Sequence, residues 1–145
     1  MEIACRTLSK DDPEFALCAE IRMEVFVVEQ RVPPDEEMDE ADAAATHVLA
    51  RVDGQPVGTG RLILELGAPA RIGRMAVREP FRRLGIGSAI LTELLEIARS
   101  RGIETVTLAG QLHAIPFYER HGFAARGDVF LDAGIEHRWM DLRLG

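Results

Sequence analysis

The sequence predicts a single α/β domain, residues 1–145, built on a mixed sheet of about seven strands. The apolar patterns follow one another in the order β-α-β-β-β-α-β-α-β-β. The length of 145 residues fits one domain, and no repeat, low-complexity tract or linker divides it. With 47% hydrophobic and 28% charged residues, the composition is typical of a soluble globular protein with a substantial core.

The first half of the chain predicts a strand, a helix and a hairpin. Residues 2–8 form the strand, and KDDPEFALCAEIRMEVFVVEQ has helical spacing of its apolar residues, with Asp11 or Asp12 as N-cap and Pro13 in the first turn. Residues 31–44 are polar, include Pro33-Pro34 and predict no regular element. THVLARVDGQPVGTGRLILE predicts two strands that are joined at Asp53-Gly54.

The second half predicts four strands and two helices. ARIGRMAV is the fourth strand, and the amphipathic helix that starts near Ile86 can end at Gly102. IETVTLAG is the fifth strand, AIPFYERHG is a short helix with Gly122 at its end, and the tail contains two further strands.

Charge and cysteine usage exclude several classes of function. A net charge of -7 argues against binding to duplex nucleic acid or to an anionic membrane. Cys5 and Cys18 are too few for a disulfide framework, and we expect reduced thiols in a cytoplasmic protein. The chain begins MEIACRTL, without the pattern of a secretory signal, and no stretch reaches the apolar length of a membrane span. The four histidines lack metal-ligand spacing, so no metal is expected.

The segment MAVREPFRRLGIG, between a strand and a helix, has the composition of a phosphate-binding loop. Glycines there expose backbone N–H groups at a helix N-terminus, where the helix dipole favours anions. The lysine of a P-loop and the third glycine of a Rossmann fingerprint are both missing. The remaining pattern is Arg-x-x-Gly-x-Gly, formed by Arg82, Gly85 and Gly87, which by itself is also compatible with an ordinary tight turn.

Further motifs give the loop a context. MAV ends the fourth strand, RRLGIG opens the long helix and GQLHAIPFYERHGF follows the fifth strand, and together they resemble the GNAT superfamily of acyl-CoA-dependent N-acyltransferases. EIRMEVFVVEQRVP, PVGTGRL and AGIEHRWM are similar to its ElaA/YjcF-like subgroup. The resemblance covers nearly the whole chain and implies a mixed, mostly antiparallel sheet flanked by helices.

The resemblance implies a donor site for acetyl-CoA. Met75, Ala76 and Val77 would pair with the pantetheine arm, and the loop amides would surround the pyrophosphate. Gln111 stands where the family often has an asparagine that bonds to the pantetheine arm, and Phe117 adjoins the site. The loop residues that this assignment includes are Arg82, Arg83, Leu84, Gly85, Ile86, Gly87 and Ser88.

The resemblance also implies catalytic roles. Tyr118, the only tyrosine, would protonate the departing thiolate, and a backbone N–H near Ala76 or Val77 would meet the developing oxyanion. Many relatives use a carboxylate of the fourth strand as the base, but ARIGRMAV has none. Glu29 and His113 are the candidates, although a solvated carboxylate and a capping histidine explain them equally well.

Charged residues near the acceptor side have two interpretations. Arg22, Arg61 and Arg74 could bind an anionic group of the acceptor, but surface charge or ion pairs within the domain are favoured for each. The run from Asp35 to Asp42 contains six acids that could attract a cationic amine, but a solvated loop is favoured.

The activity implied is N-acetyl transfer from acetyl-CoA to a primary amine, on a small molecule or a peptide, by direct transfer in a ternary complex. A second hypothesis is an acyl-CoA-binding module without turnover. A third is an acyl-homoserine lactone synthase, which Arg22, Val25 and Phe26 resemble but whose chains are longer. A homodimer through the C-terminal strands is expected.

Overall fold

The computed structural model describes residues 1–65 and 67–145, and the strands among them form one seven-stranded sheet. In chain order they are β1 (Ile3–Leu8), β2 (Thr46–Val52), β3 (Gln55–Ile63), β4 (Ala70–Val77), β5 (Thr105–Gln111), β6 (Ala124–Asp132) and β7 (Ile135–Arg143). The order across the sheet is β1-β2-β3-β4-β5-β7-β6. Only β4 and β5 are parallel, so the predicted mixed, mostly antiparallel sheet is confirmed.

The three predicted helices lie in the predicted order, and one further short helix lies in the segment that was predicted to have no regular element. They are α1 (Phe15–Arg22), which continues as a π-helix (Met23–Glu29), α2 (Pro34–Glu37), α3 (Ile86–Ser100) and α4 (Ile115–Arg120). Single 3₁₀ turns lie at Glu40–Ala43, Glu79–Phe81 and Leu112–Ala114. The predicted N-cap is wrong: α1 begins after Glu14, whose N–H donates to Asp12 Oδ1 over 2.9 Å, so Asp12 closes the turn before the helix.

The β2–β3 hairpin forms at the predicted place. Asp53 and Gly54 have φ values of 48° and 86°, and Val52 pairs with Gln55 directly across the turn. Two successive left-handed residues are the signature of the two-residue turn whose twist matches that of the flanking strands.

The two faces of the sheet carry different helices. Val48 packs in the core cluster that contains α3, while its neighbour Leu49 packs with Cys18 and Ile21 of α1. Successive strand residues point to opposite faces, so α3 and α1 lie on opposite sides of the sheet. Tyr118 of α4 belongs to the α3 cluster and therefore packs on the α3 side.

Two glycines of β3 allow α3 to approach the sheet closely. A Cβ on Gly60 would lie 2.8 Å from Ile90 Cγ2 and 2.9 Å from Met75 Sδ. A Cβ on Gly58 would lie 2.8 Å from Ile90 Cδ1. Side chains larger than hydrogen at these two positions would overlap the side chain of Ile90, so the glycines let the helix pack close to the sheet.

Strands β4 and β5 pair over only part of their length. Their register runs from Ala70 opposite Val106 to Ile72 opposite Leu108, where it ends. Just beyond it, Arg74 has φ 53°, and the β3–β4 register shifts between Thr59 and Arg61. This is a β-bulge, which bends a strand and interrupts its pairing, and we attribute the separation of β4 from β5 to it.

The acidic segment before β2 is ordered and partly buried, contrary to the prediction of a solvated loop without regular structure. It forms α2 and the 3₁₀ turn Glu40–Ala43. The side chains of Glu37 and Asp42 are 2% and 0% exposed, because they pair with the buried guanidinium of Arg22. Runs of charged residues usually lie on solvated surfaces. In this segment, however, buried arginines pair with Glu37 and Asp42 and hold both carboxylates inside the protein.

Candidate functional site

A cleft of about 870 Å³ opens where β4 and β5 separate. Its walls come from β4, β5, β7, α4 and the π-helix that continues α1. Parallel strands that diverge leave backbone groups without a sheet partner, so the gap offers hydrogen bonds to an extended ligand. The cleft is lined by nine of the predicted site residues: Met75, Ala76, Val77, Arg82, Arg83, Gln111, His113, Phe117 and Tyr118.

The main chain of Val77 faces this gap. The N–H of Arg78 donates to Val57 O of β3 over 2.9 Å, which makes these two residues a hydrogen-bonded pair. In an antiparallel ladder, hydrogen-bonded pairs alternate with pairs that are not hydrogen-bonded. The N–H and C=O of Val77 therefore point away from β3, whereas those of Ala76 point towards it. Consistently, Val77 O accepts a bond of 2.8 Å from Arg82 Nε. Of the two predicted N–H donors, Val77 is the one directed into the cleft.

The glycine loop forms an uncapped helix N-terminus beside the cleft. Gly85 is the N-cap of α3 with φ 86°, and none of the side chains that the structure describes caps the helix there. A Cβ on Gly85 would have no neighbour within 4 Å, so the left-handed backbone accounts for this glycine. The first-turn N–H groups, with the helix dipole, form a site suited to an anion.

The rest of the loop is held near α4. A Cβ on Gly87 would lie 3.5 Å from Cζ of Phe117, which itself lines the cleft. Ser88 Oγ and His121 Nε2 are 3.0 Å apart. Leu84 is exposed and Ile86 is buried in the α3 core, so Ile86 can contribute only its main chain to a ligand.

Tyr118 is a buried side chain that reaches the cleft. Its ring packs against Phe117 and Phe123 at centroid distances of 5.1 and 6.0 Å. Burial raises the pKa of Tyr118 to about 12, so the hydroxyl keeps its proton near neutral pH. The hydroxyl makes no hydrogen bond within residues 1–65 and 67–145, which leaves its proton available to a ligand in the cleft.

Gln111 is held by a residue from the opposite wall. Its Nε2 donates to Oε1 of Gln30 over 2.9 Å, and both side chains line the cleft. Gln30 directly follows the π-helix, whose wider turn brings Val25 and Phe26 to the same wall. Local π-helical turns often occur at functional sites. The helical spacing of apolar residues in the sequence predicted an ordinary helix here and gave no sign of the π-helix.

The two candidate bases lie in different surroundings. Glu29 pairs with Arg82 at 2.7 Å and is not among the residues that line the cleft in the described chain. His113 lines the cleft in the 3₁₀ turn before α4 and is exposed. The structure therefore places His113 and Tyr118 in the lining of one cleft and directs Glu29 towards a guanidinium of the glycine loop.

A charged cluster, which we call the arginine wall, reaches the cleft through Asp39, Arg61 and Arg74. Its members are Arg22, Glu37, Asp39, Asp42, Arg61 and Arg74. Asp42 accepts bonds from Arg22 Nη1 over 2.8 Å and from Arg61 Nη1 over 3.0 Å, and Asp39 accepts from Arg61 and Arg74. Burial raises the pKa of Asp42, but the bonds from the two arginines outweigh it and leave the value lowered. Ion pairs within the domain, as favoured from the sequence, therefore engage all three arginines.

Within residues 1–65 and 67–145, no three His, Cys, Asp or Glu side chains are arranged to hold a metal ion. Across the same residues, no helix is long and apolar enough to cross a membrane.

Comparison with known proteins agrees with this geometry. Residues 15–123 match the model of the acetyltransferase (GNAT) family. The uncharacterized N-acetyltransferase YjcF of Bacillus subtilis is 34% identical over 134 residues, which cover 92% of this chain and 95% of YjcF.

Solved structures extend the similarity to the fold of the whole chain. An acyl-CoA N-acyltransferase from Pseudomonas aeruginosa has a TM-score of 0.86 and 29% identity, over 97% of this chain and 99% of its own. Escherichia coli ElaA has the same TM-score at 26% identity, with coverage of 97% and 99%. Taken together with the family match, these similarities show that the chain belongs to the GNAT acetyltransferase family, in its ElaA/YjcF-like subgroup.

Proposed function

We propose that this protein transfers an acetyl group from acetyl-CoA to a primary amine, by direct transfer while both substrates are bound. The observation that carries the proposal is the meeting of two groups in one cleft. The main chain of Val77 and the side chain of Tyr118 both face the gap between β4 and β5, next to the uncapped N-terminus of α3.

The residues around the gap fit an acyl-CoA donor. The free edge of β4 offers main-chain bonds to the amide-containing pantetheine arm, and the amides from Gly85 to Ser88 offer bonds to the pyrophosphate. Arg83 lines the cleft and can add charge-assisted bonds to phosphate. The similarity to an acyl-CoA N-acyltransferase of Pseudomonas aeruginosa supports this choice of donor.

The donor supplies an acetyl carbonyl activated as a thioester. The residues of this chain stabilise the carbonyl oxygen, protonate the leaving sulfur and position the two substrates. The N–H of Val77 donates to the carbonyl oxygen as negative charge grows there. The Tyr118 hydroxyl gives its proton to the sulfur as the C–S bond breaks, a contribution of about 10²–10⁴ in rate for one positioned acid. The walls hold amine and thioester together, which replaces a collision between two molecules by a reaction within one complex.

The test is release of the free CoA thiol by the purified protein. Acetyl-CoA is mixed with primary amines of four kinds: small metabolites, amino sugars, polyamines and peptides. We expect thiol release that depends on at least one amine, together with a product heavier by one acetyl group in mass spectrometry. Binding of acetyl-CoA without amine-dependent release from any acceptor would contradict the proposal and favour a binding module.

Two further expectations stay predictions. One is a cytoplasmic location, which fractionation of cells would test. The other is a homodimer through the C-terminal strands, where β6 is an edge of the sheet and Leu131 is 69% exposed. Light scattering that gives the mass of one chain would contradict it.

A further inference from the structure

The proposed reaction leaves one proton on the attacking amine, and β4 offers no carboxylate to remove it. Its sequence is ARIGRMAV. Glu29 is paired with Arg82, outside the residues that line the cleft. Another titratable side chain, His137 of β7, does line the cleft together with Gln111 and Tyr118.

The hydrogen on the ring of His137 is placed by its neighbour. Nδ1 lies 2.7 Å from the carbonyl oxygen of Ile135. A carbonyl oxygen only accepts, so Nδ1 donates, and in the neutral ring the lone pair is on Nε2. The same contact fixes the orientation of the ring, as an orienting acceptor does for catalytic histidines in general.

Nε2 is available to a ligand. It makes no hydrogen bond within residues 1–65 and 67–145, and it is not among the three fully enclosed polar atoms without a partner, which are Glu37 Oε2, Arg61 Nε and Arg78 Nε. The side of the ring is covered by Phe130, stacked at 5.9 Å between centroids and 23° between planes. The residue is only 8% exposed and lines both the cleft and the smaller space beside it.

Charged side chains border the space in front of His137. Glu36, Glu37 and Asp132 border the space that it shares with Arg74. Glu37 and Arg74 are engaged in the arginine wall, Glu37 with Arg22 and Arg74 with Asp39. Glu36 and Asp132 have no ion pair in the described chain, so two carboxylates without a cationic partner border this space.

We propose that His137 is the general base of the transfer, an inference that rests on the proposed function. The amine gives one proton to Nε2 as its nitrogen bonds to the acetyl carbon and the C–S bond breaks. Tyr118 gives its proton to the sulfur in the same transfer. Solvent then takes the proton from the imidazolium and returns one to the Tyr118 oxygen, which restores both residues.

The experiment compares His137→Ala with the wild type, using an amine that the wild type acetylates. We expect kcat to fall about 10²-fold or more, with unchanged affinity for CoA by calorimetry, and to rise again when imidazole is added. His137→Gln fills the site without a base, so it should lose the same activity and gain nothing from imidazole. Glu136→Ala, an exposed neighbour on β7, is the control and should keep wild-type kcat.

Each other outcome overturns the proposal in a recognisable way. Wild-type kcat in His137→Ala excludes a base at this position while the proposed function stands. Loss of activity with loss of CoA affinity, or without rescue by imidazole, assigns His137 a structural role. A wild-type protein that acetylates no amine overturns the proposed function, and the base role with it.

Discussion

Arg22 and Asp42 form an ion pair in the interior, with Nη1 and Oδ1 2.8 Å apart and side-chain exposures of 1% and 0%. Both charges are out of water, so each relies on the other and on the remaining members of the arginine wall. The pair joins α1 to the acidic segment, from which Glu36 and Asp39 line the cleft.

Removal of Arg22 should destabilise the fold strongly. Arg22→Ala leaves Asp42 and Glu37 buried without their main cation, and breaking one side of a buried pair costs about 3–5 kcal/mol. Urea unfolding followed by circular dichroism measures the loss. Arg99→Ala is the control, because Arg99 pairs with Glu96 on the exposed face of α3, and it should leave the free energy of unfolding nearly unchanged. Equal values for the two variants would contradict the structural role of the wall.

The same wall should make stability depend on acid. The arginine contacts hold the folded pKa of Asp39 and Asp42 below the ordinary value of 3.8. A lowered folded pKa contributes stability above the unfolded value, and that contribution disappears as the pH falls through the folded value. In urea unfolding between about pH 6 and pH 2, the free energy of unfolding should fall more steeply below about pH 4 in the wild type than in Asp42→Asn. Parallel curves would contradict this assignment.

Gly60 should tolerate no side chain. In Gly60→Ala the new methyl group would meet Ile90, Met75 and Leu94 at 3.0 Å or less, and overpacking of this kind costs about 1–3 kcal/mol. Gly73→Ala is the matched control in the neighbouring strand, since a Cβ there has nothing within 4 Å. Thermal unfolding should show a clearly lower Tm for Gly60→Ala than for Gly73→Ala, and the reverse order would contradict the close packing of α3.

Tyr118→Phe tests the proton donor. The substitution keeps the ring in its packing against Phe117 and Phe123, so the fold and the affinity for CoA should be unchanged. We expect kcat to fall about 10²-fold or more, because the leaving sulfur lacks its acid. With a pKa of about 12, Tyr118 should cause no loss of wild-type activity between about pH 7 and pH 10. Unchanged kcat in steady-state thiol release would assign the protonation to another group.

Much of the fold could be predicted because its signals are local. Asp53-Gly54 determines its hairpin within two residues, and ARIGRMAV forms a strand over the predicted range of residues 70–77. The glycine loop also carries its own signal, since Gly85 adopts the left-handed conformation required before α3.

The features that could not be predicted from the sequence depend on contacts between residues that are distant in the chain. Glu37 and Asp42 are buried only because Arg22 and Arg61 approach from other elements, and no local pattern distinguishes them from solvated acids. The bulge at Arg74, which precedes the gap in the sheet, places an arginine in a conformation that favours glycine. His137 and Trp139 lie on one face of β7, but only the tertiary fold shows that this face borders the cleft.

The central claim is that the gap between β4 and β5 holds the acyl donor, and a crystal structure with CoA tests it most directly. We predict the pantetheine arm along β4 with a main-chain bond to Val77, the pyrophosphate on the amides from Gly85 to Ser88, and the sulfur within hydrogen-bond distance of the Tyr118 hydroxyl. CoA bound elsewhere, or bound in the cleft with its sulfur away from Tyr118, would contradict the account.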